Sequence, residues 1–191
     1  MAAPGPHGTR LGSARRSHEA NGVWFGPVAL SVLPLDLARW DESARDGLVL
    51  PVFKDDRPLR GAAGLADWRL CGRLSRLLKG NRATAEAGET LMLPPGRRLR
   101  FSRILWFGLG DAKGYTDERF RADLTWILDV VTTAGVTDWA LQAPGRASGL
   151  IGARRAVELI LEHKALVDQP LTLIEDPAGQ KDIAELLRQS R

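Results

Sequence analysis

The sequence predicts an α/β fold of three layers, in which helices cover both faces of a mixed, mainly parallel sheet. Three observations predict it. In the second half of the chain, short and wholly apolar runs alternate with segments of helical periodicity. Glycine-rich turns lie between these runs and the helical segments that follow them. The clearest unit is an apolar run at residues 104–110, then a turn, then a helix that starts near Thr116.

The composition is that of one globular domain without a membrane segment. Of the 191 residues, 44% are hydrophobic and 26% are charged, and no apolar run approaches the length of a membrane span. Cys71 is the only cysteine, which excludes an internal disulfide and a cysteine metal cluster and indicates a cytoplasmic setting. The formal net charge is +4, but no compact stripe of Lys and Arg stands out along the sequence. Nucleic-acid binding is therefore a minor alternative.

The first half of the chain predicts a tail followed by two strands. Residues 1–22 are rich in Gly, Pro and Arg and have little to bury, so we expect a disordered basic tail, with one domain over residues 23–191. The apolar runs at residues 28–33 and 48–53 predict strands. Pro51 lacks a backbone N–H, which indicates an edge strand, a bulge or an early strand end.

A helix is predicted to follow the loop at residues 54–64. Trp68, Cys71, Leu74 and Leu78 recur at helical spacing, and Gly80 is a suitable stop. This spacing puts Cys71 on the apolar stripe, where we expect a packed thiol rather than a reactive one. Core packing is also the expectation for Trp68.

The next strand is predicted at residues 90–93. The arginine-rich segment at residues 97–103 is predicted to be a solvated turn before the apolar run of residues 104–110. Thr116 is a good helix cap, with acidic residues in the turn after it, and Gly135 is a suitable end for that helix.

Two further strands and two further helices complete the predicted order. A strand at residues 138–143 is expected to pair in parallel with the strand at residues 104–110, because a crossover helix separates them. The helix after Gly149 is expected to bury Leu150 and the apolar residues that follow it at helical spacing. After a strand at residues 171–174, Asp176 and Pro177 suit the start of a last helix.

The best candidate for a binding site is the loop that contains Gly61 and Gly64. Two glycines before a helix let backbone N–H groups approach an anion, and Arg57 and Arg60 add positive charge. The alternative is a glycine-tolerant turn with exposed arginines. Gly108 and Gly110 are expected at the same carboxyl edge of the sheet, and Arg146 belongs to a third glycine-rich loop there.

No arrangement of residues predicts catalysis or a metal. The adjacent carboxylates Asp55 and Asp56 fit a solvated turn better than a metal site, because no histidine or third carboxylate is close in sequence. His7 and His18 lie in the tail, and His163 lies at the polar end of a helix, so no nucleophile and base pair can be built from them. We therefore expect no metal and no cofactor.

Four segments in order resemble the N-terminal domain of the leucyl aminopeptidases, the peptidase M17 family. They are Leu-Leu-Lys-Gly at residues 77–80, Ala-Gly-Glu-Thr-Leu-Met-Leu at 87–93, Arg-Ile-Leu-Trp-Phe-Gly-Leu-Gly at 103–110 and Asp-Glu-Arg-Phe at 117–120. The resemblance implies a macro-domain-like fold. A wider similarity to macro domains puts Asp36 where an aspartate contacts adenine, and puts residues 60–64 on the glycine loop of those domains.

The departures from these families bear on function. Pro51, Val52 and Phe53 stand where macro domains carry the asparagine that holds the distal ribose, so ADP-ribose hydrolysis is not expected. The aminopeptidase signature Asn-Thr-Asp-Ala-Glu-Gly-Arg-Leu, which supplies metal-binding carboxylates in that family, is missing. The resemblance therefore implies a non-catalytic module for ligand binding, assembly or regulation.

The expected partners are a phosphate-bearing small molecule, a second copy of the chain or a full-length aminopeptidase, and no membrane. Two alternatives stay open. One is a macro domain that binds or processes ADP-ribose or nucleotide phosphates, and the other is a DNA-binding regulator that acts through Arg57 and Arg60.

Overall fold

Strands and helices alternate along the chain. The computed structural model describes residues 23–25, 28–163 and 170–189. Within these residues the elements are β1 (Val23–Phe25), β2 (Val28–Pro34), α1 (Leu37–Glu42), β3 (Arg45–Val52), α2 (Gly61–Arg69), α3 (Arg73–Lys79), β4 (Thr90–Leu93), β5 (Phe101–Gly108), α4 (Asp117–Thr133), β6 (Trp139–Leu141), α5 (Ala153–Leu161), β7 (Pro170–Glu175) and α6 (Pro177–Gln189).

The strands form one sheet in the order β1-β2-β7-β6-β3-β5-β4. The five inner strands are parallel to one another, whereas β1 and β4 run antiparallel at the two edges. Each of the four parallel pairs joins strands that a helix separates in sequence, as parallel neighbours require. The prediction of a mixed, mainly parallel sheet is confirmed.

The side chains of the inner strands alternate between two hydrophobic cores. On β3 and β5, Val49, Leu105 and Phe107 pack against α4, α5 and α6. Their neighbours Leu48 and Ile104 point to the other face and pack with α1, α2 and α3. Both faces of the sheet are therefore covered, and the three-layer arrangement is confirmed.

Pro51 lies on a central strand, not at an edge. β3 pairs with β5 through Val52, but its pairing with β6 ends at Val49. The Gly47 N–H donates to the Asp138 carbonyl oxygen on the β6 side, whereas the Val52 carbonyl oxygen accepts from the Leu109 N–H on the β5 side. Because successive residues of a strand direct their backbone groups to alternate sides, the nitrogen of Pro51 faces the β6 side, beyond the point where β6 ends. The missing N–H therefore removes no ladder hydrogen bond.

The predicted partner of β6 is wrong. β6 pairs with β3 and β7, and not with β5. β5 has no free edge, because β3 covers one side and the antiparallel β4 covers the other. The crossover helix α4 therefore carries the chain past β3 before β6 begins.

The single helix predicted through Trp68 and Cys71 is in fact two helices. α2 ends at Arg69 and α3 starts at Arg73, and Cys71 and Gly72 between them both have positive φ. The Asp67 carboxylate accepts hydrogen bonds from the backbone N–H groups of Leu74 (2.7 Å) and Ser75 (3.1 Å), and so caps α3. Because a new helix starts at this cap, Trp68 and Cys71 do not lie on one helical face with Leu74 and Leu78. Cys71 is therefore exposed, and Trp68 is 72% exposed. The predictions of a packed thiol and a packed Trp68 are both wrong.

Two other helix starts were predicted from their caps. The Thr116 hydroxyl accepts from the Arg119 N–H at the start of α4, and the Asp176 carboxylate accepts from the Gly179 N–H at the start of α6. Both predictions are confirmed.

Leu150 is 44% exposed, because α5 begins only at Ala153, so its predicted burial is wrong.

The predicted tail at residues 1–22 lies outside the described residues, so the domain boundaries stay a prediction.

None of the helices in the described ranges combines the length and apolar character needed to cross a membrane.

Candidate functional site

The candidate residues lie at or near the carboxyl edge of the sheet, where open α/β sheets bind ligands. Each follows or ends one of the parallel strands. They are Asp36 after β2; Arg57, Arg60, Gly61 and Gly64 after β3; Gly108 and Gly110 at the end of β5; and Arg146 after β6.

The N-terminus of α2, the predicted anion site, is occupied by the side chain of Gln142. The Gln142 amide oxygen accepts a hydrogen bond of 2.7 Å from the Ala62 backbone N–H, and only 8% of Gln142 is exposed. Gly61 has φ +53°, and a Cβ there would overlap the same amide. The glycine thus admits a protein side chain to the helix start. Gln142 was not among the predicted site residues, although a polar residue directly after the apolar β6 run was a usable signal.

Arg57 and Arg60 keep their guanidinium groups at the surface beside this helix start. Both residues are exposed, and Arg60 is the N-cap residue of α2 without a capping side-chain hydrogen bond. Arg57 donates to the Asp56 carbonyl oxygen at 3.2 Å. Gly64 packs closely on the loop, because a Cβ at this position would lie 2.7 Å from the Leu59 carbonyl oxygen.

The buried carboxylate of Asp56 joins the loop after β3 to the loop after β6. It accepts from the Phe53 backbone N–H at 3.2 Å and from the Ser148 hydroxyl at 2.8 Å. Asp55 accepts from the Ala112 N–H at 3.1 Å and so reaches the loop after β5. The adjacent carboxylates thus fasten three loops together.

Gly108 and Gly110 make room for the backbone of the 84–89 loop. A Cβ on Gly108 would overlap the Ala85 and Glu86 backbone. The Gly110 N–H donates to the Ala85 carbonyl oxygen at 2.9 Å, and the Gly110 carbonyl oxygen accepts from the Lys54 N–H at 2.8 Å. These two glycines therefore lie beneath another segment of the chain.

Arg146 forms a buried ion pair with Glu175 at the end of β7. Its guanidinium donates to both carboxylate oxygens, at 2.9 and 2.7 Å, and also to the Ile151 carbonyl oxygen at 3.0 Å. Only 1% of the Glu175 side chain is exposed. The hydrogen bond to Glu175 raises the pKa of Arg146 above its ordinary value, although burial opposes it. Arg146 therefore anchors its loop as a permanent cation.

Asp36 follows β2 close to the end of β7, because the N–H of its neighbour Leu35 donates to the Glu175 carbonyl oxygen at 2.9 Å. The carboxylate of Asp36 caps α1 by accepting from the Ala38 N–H at 2.8 Å.

An aromatic contact supports the same edge from the α4 side. Tyr115 packs edge-on against Phe53, with ring centroids 4.9 Å apart, and its hydroxyl donates to Asp123 at 2.9 Å. Burial raises the pKa of both Tyr115 and Asp123, and for Asp123 it outweighs the hydrogen bond from Tyr115 and the nearby Arg119 charge.

The structure thus brings the predicted loops to one edge, and most of their polar groups bond to other parts of the chain. Among the described residues, no group of three or more His, Cys, Asp and Glu side chains could hold a metal ion. Arg57 and Arg60 are the predicted site residues whose charges face solvent without a carboxylate partner within the described ranges.

Comparison with solved structures finds the same fold in aminopeptidases and macrodomains. A mutant of tomato leucine aminopeptidase is 13% identical with a TM-score of 0.55, and the match covers 86% of this chain and 37% of that one. An Oceanobacillus iheyensis macrodomain mutant is 11% identical with a TM-score of 0.63, covering 92% of this chain and 96% of that one. A Trypanosoma brucei macrodomain in complex with ADP is 14% identical with a TM-score of 0.59, covering 83% and 67%.

These identities show the fold alone, and the chain spans only 37% of the length of the tomato aminopeptidase. A search of curated proteins finds no match. The sequence profile of the cytosol aminopeptidase family, N-terminal domain, matches residues 49–163, which is more than half of the chain. Together with the macrodomain-like fold, this match shows that the chain belongs to the cytosol aminopeptidase family, as a domain of its N-terminal type.

Proposed function

We propose that this domain is a non-catalytic assembly or regulatory module, whose partner is a second copy of the chain or a full-length aminopeptidase. One observation carries the proposal: the loops that would hold a ligand at the carboxyl edge are bound to one another through buried polar groups. Gln142 caps α2, Asp56 joins two loops, and Arg146 is paired with Glu175.

A phosphate at the start of α2 would have to displace Gln142. The buried amide would then need new partners, and an unsatisfied buried polar group costs about 1–3 kcal/mol. The ligand would have to offset this cost before any net affinity appeared. The arrangement therefore favours a structural role for these loops.

The edge strand β4 supports an assembly role. Among the described residues it pairs with β5 on one side only, so its other side presents backbone groups without a partner strand from that part of the chain. Met92 on this strand is 53% exposed, which makes it a large apolar side chain suited to burial against a partner.

The second candidate function is binding of a phosphate-bearing ligand, such as a nucleotide. The exposed Arg57 and Arg60 beside α2 favour it, and the similar macrodomain from Trypanosoma brucei is in complex with ADP. A ligand held only by these arginines would lie at the surface, outside the N-terminus of α2 that Gln142 occupies.

Native mass spectrometry and light scattering of the purified chain, alone and with a full-length cytosol aminopeptidase, test the proposal. We expect a dimer or a mixed complex that Met92→Lys weakens by about tenfold or more, because a charge buried without a partner opposes association. Leu150→Lys, which makes the same change at another exposed apolar residue, is expected to leave it intact. A monomer that binds no aminopeptidase would contradict the assembly role.

A thermal-shift series with ADP and ADP-ribose decides the second candidate, because a ligand that binds the native state alone raises the melting temperature. We expect no shift with either compound. A clear shift that Arg57→Gln with Arg60→Gln removes would replace the assembly role by ligand binding.

A further inference from the structure

The positive charge of this chain is concentrated in one segment. Residues 57–100 contain ten Lys or Arg and three Asp or Glu, an excess of seven positive charges, whereas the whole chain has an excess of four. The rest of the chain is therefore net negative. This segment supplies the loop before α2, then α2, α3, β4 and the turn before β5, and Arg97, Arg98 and Arg100 lie in that turn.

Three arginines in this segment have no carboxylate partner in the part of the chain that the structure describes. Arg97, Arg98 and Arg100 are exposed, and within the described residues none has a carboxylate oxygen within 4.0 Å. On the opposite helical layer, by contrast, Arg121 is paired with Glu162 and Arg155 with Asp117. The unbalanced charge would attract an anionic partner to the face that carries Arg97, Arg98 and Arg100.

Two open clefts adjoin on this face, of about 710 and about 650 Å³, and Arg69 and Arg98 line both of them. The second cleft also contains Arg97 and Arg100. The first is lined by Trp68, whose side chain is 72% exposed. Trp68 therefore shares the first cleft with Arg69, which is paired with Asp41, and with Arg98, whose guanidinium donates to the Cys71 sulfur at 2.8 Å.

We propose that this face binds single-stranded nucleic acid, with a base stacked on Trp68 and the phosphates on Arg97, Arg98 and Arg100. Stacking on aromatic side chains combined with a positive groove is the general means of holding an unpaired strand. A duplex hides the faces of its bases and could not stack on Trp68. An acidic peptide could pair its carboxylates with the arginines, but those carboxylates would make no favourable contact with the exposed indole of Trp68.

The three arginines lie at the end of the sheet opposite the carboxyl-edge loops, although the first cleft also reaches Pro58, Leu59 and Gly64. Residues 97–100 precede the start of β5, so they lie at the amino edge of the parallel strands, and Gly108 and Gly110 lie at the other end of β5. Binding there goes beyond the proposed assembly role and does not depend on it.

Fluorescence anisotropy with labelled oligo(dT) and oligo(rU) of about 12 nucleotides tests the inference, with a duplex and a glutamate peptide of equal length as competitors. Three phosphate contacts predict a log–log salt slope near −2, which is a loss of about 20-fold in affinity between about 50 and about 200 mM salt. Both competitors should displace the oligonucleotide poorly.

Substitutions separate stacking from charge. Trp68→Ala should weaken binding about 5- to 150-fold, the range for loss of one stacked base, and Trp68→Phe should restore most of it. Replacing Arg97, Arg98 and Arg100 by Gln should flatten the salt slope by about two units, since each phosphate contact contributes about 0.7.

The control variant removes the same number of charges elsewhere. Lys113→Gln, Lys181→Gln and Arg188→Gln change three exposed residues outside this face, and binding should stay within about twofold of the wild type, because distant surface charges are screened at physiological salt. An equal loss in this control, an unchanged affinity in Trp68→Ala, or tighter binding of the duplex or the glutamate peptide would each overturn the proposal. Circular dichroism of every variant shows whether a loss of binding comes from unfolding, and Trp68→Phe keeps the stacking test valid if Trp68→Ala unfolds.

Discussion

Replacing Gln142 by leucine should destabilise the fold through one hydrogen bond. The Gln142 amide oxygen accepts from the Ala62 N–H at 2.7 Å in a site where only 8% of Gln142 is exposed. Leucine has a similar volume, so it leaves little cavity, but it leaves this N–H without an acceptor. A buried donor that loses its partner costs about 1–3 kcal/mol.

Urea denaturation followed by tryptophan fluorescence measures this cost. We expect a loss of about 2 kcal/mol in the free energy of unfolding, and a fall of about 4–8 °C in melting temperature for a chain of this size. Gln189→Leu makes the same chemical change at an exposed position and should alter the stability by less than about 0.5 kcal/mol. A loss below about 0.5 kcal/mol for the leucine variant at position 142 would refute the capping role.

A second readout distinguishes capping from packing. In Gln142→Ala the space at the start of α2 is vacated, and the helix N-terminus can then attract an anion. Sulfate should therefore raise the melting temperature of Gln142→Ala more than that of the wild type. Equal shifts in the two proteins would mean that the amide does not occupy an anion site.

Two further predictions concern buried charges. Arg146→Met leaves Glu175 buried without its partner and should lower the free energy of unfolding in urea by about 3–5 kcal/mol. Arg154→Met breaks an exposed pair and should lower it by less than about 1 kcal/mol. Equal losses in the two variants would contradict the dependence on burial. Burial raises the pKa of Asp123 above its ordinary 3.8, so this carboxyl favours folding when protonated and opposes it as the pH rises through that raised pKa. Asp123→Asn keeps an acceptor for the Tyr115 hydroxyl, and its stability relative to the wild type should be higher at neutral pH than near pH 3; a constant difference across that range would contradict the pKa shift.

Most of the secondary structure could be predicted because its signals are local. The apolar runs of β2, β4 and β5 and the caps Thr116 and Asp176 act within a few residues of where they stand. The break between α2 and α3 was missed, since Asp67 reaches forward seven residues to Leu74, beyond the spacing of an ordinary cap. The exposure of Trp68 and Cys71 follows from that break.

The candidate site was predicted in position but not in its contacts. Gly61, Gly108 and Gly110 do mark places where the backbone needs a residue without a side chain. A glycine shows only that something approaches closely. At Gly61 the neighbour is Gln142, and at Gly108 it is the Ala85 backbone. Neither neighbour is close in sequence, so no local pattern distinguishes it from a ligand.

The sequence by itself determined the alternation of strands and helices, the three layers and the family to which the chain belongs, because hydrophobic periodicity and short motifs are written in consecutive residues. Only the tertiary structure decided the strand order, the capping of α2 by Gln142 and the two adjoining clefts that bring Trp68 near Arg97, Arg98 and Arg100. These features depend on which residues meet after the chain has crossed the sheet, and that is set by packing between segments tens of residues apart.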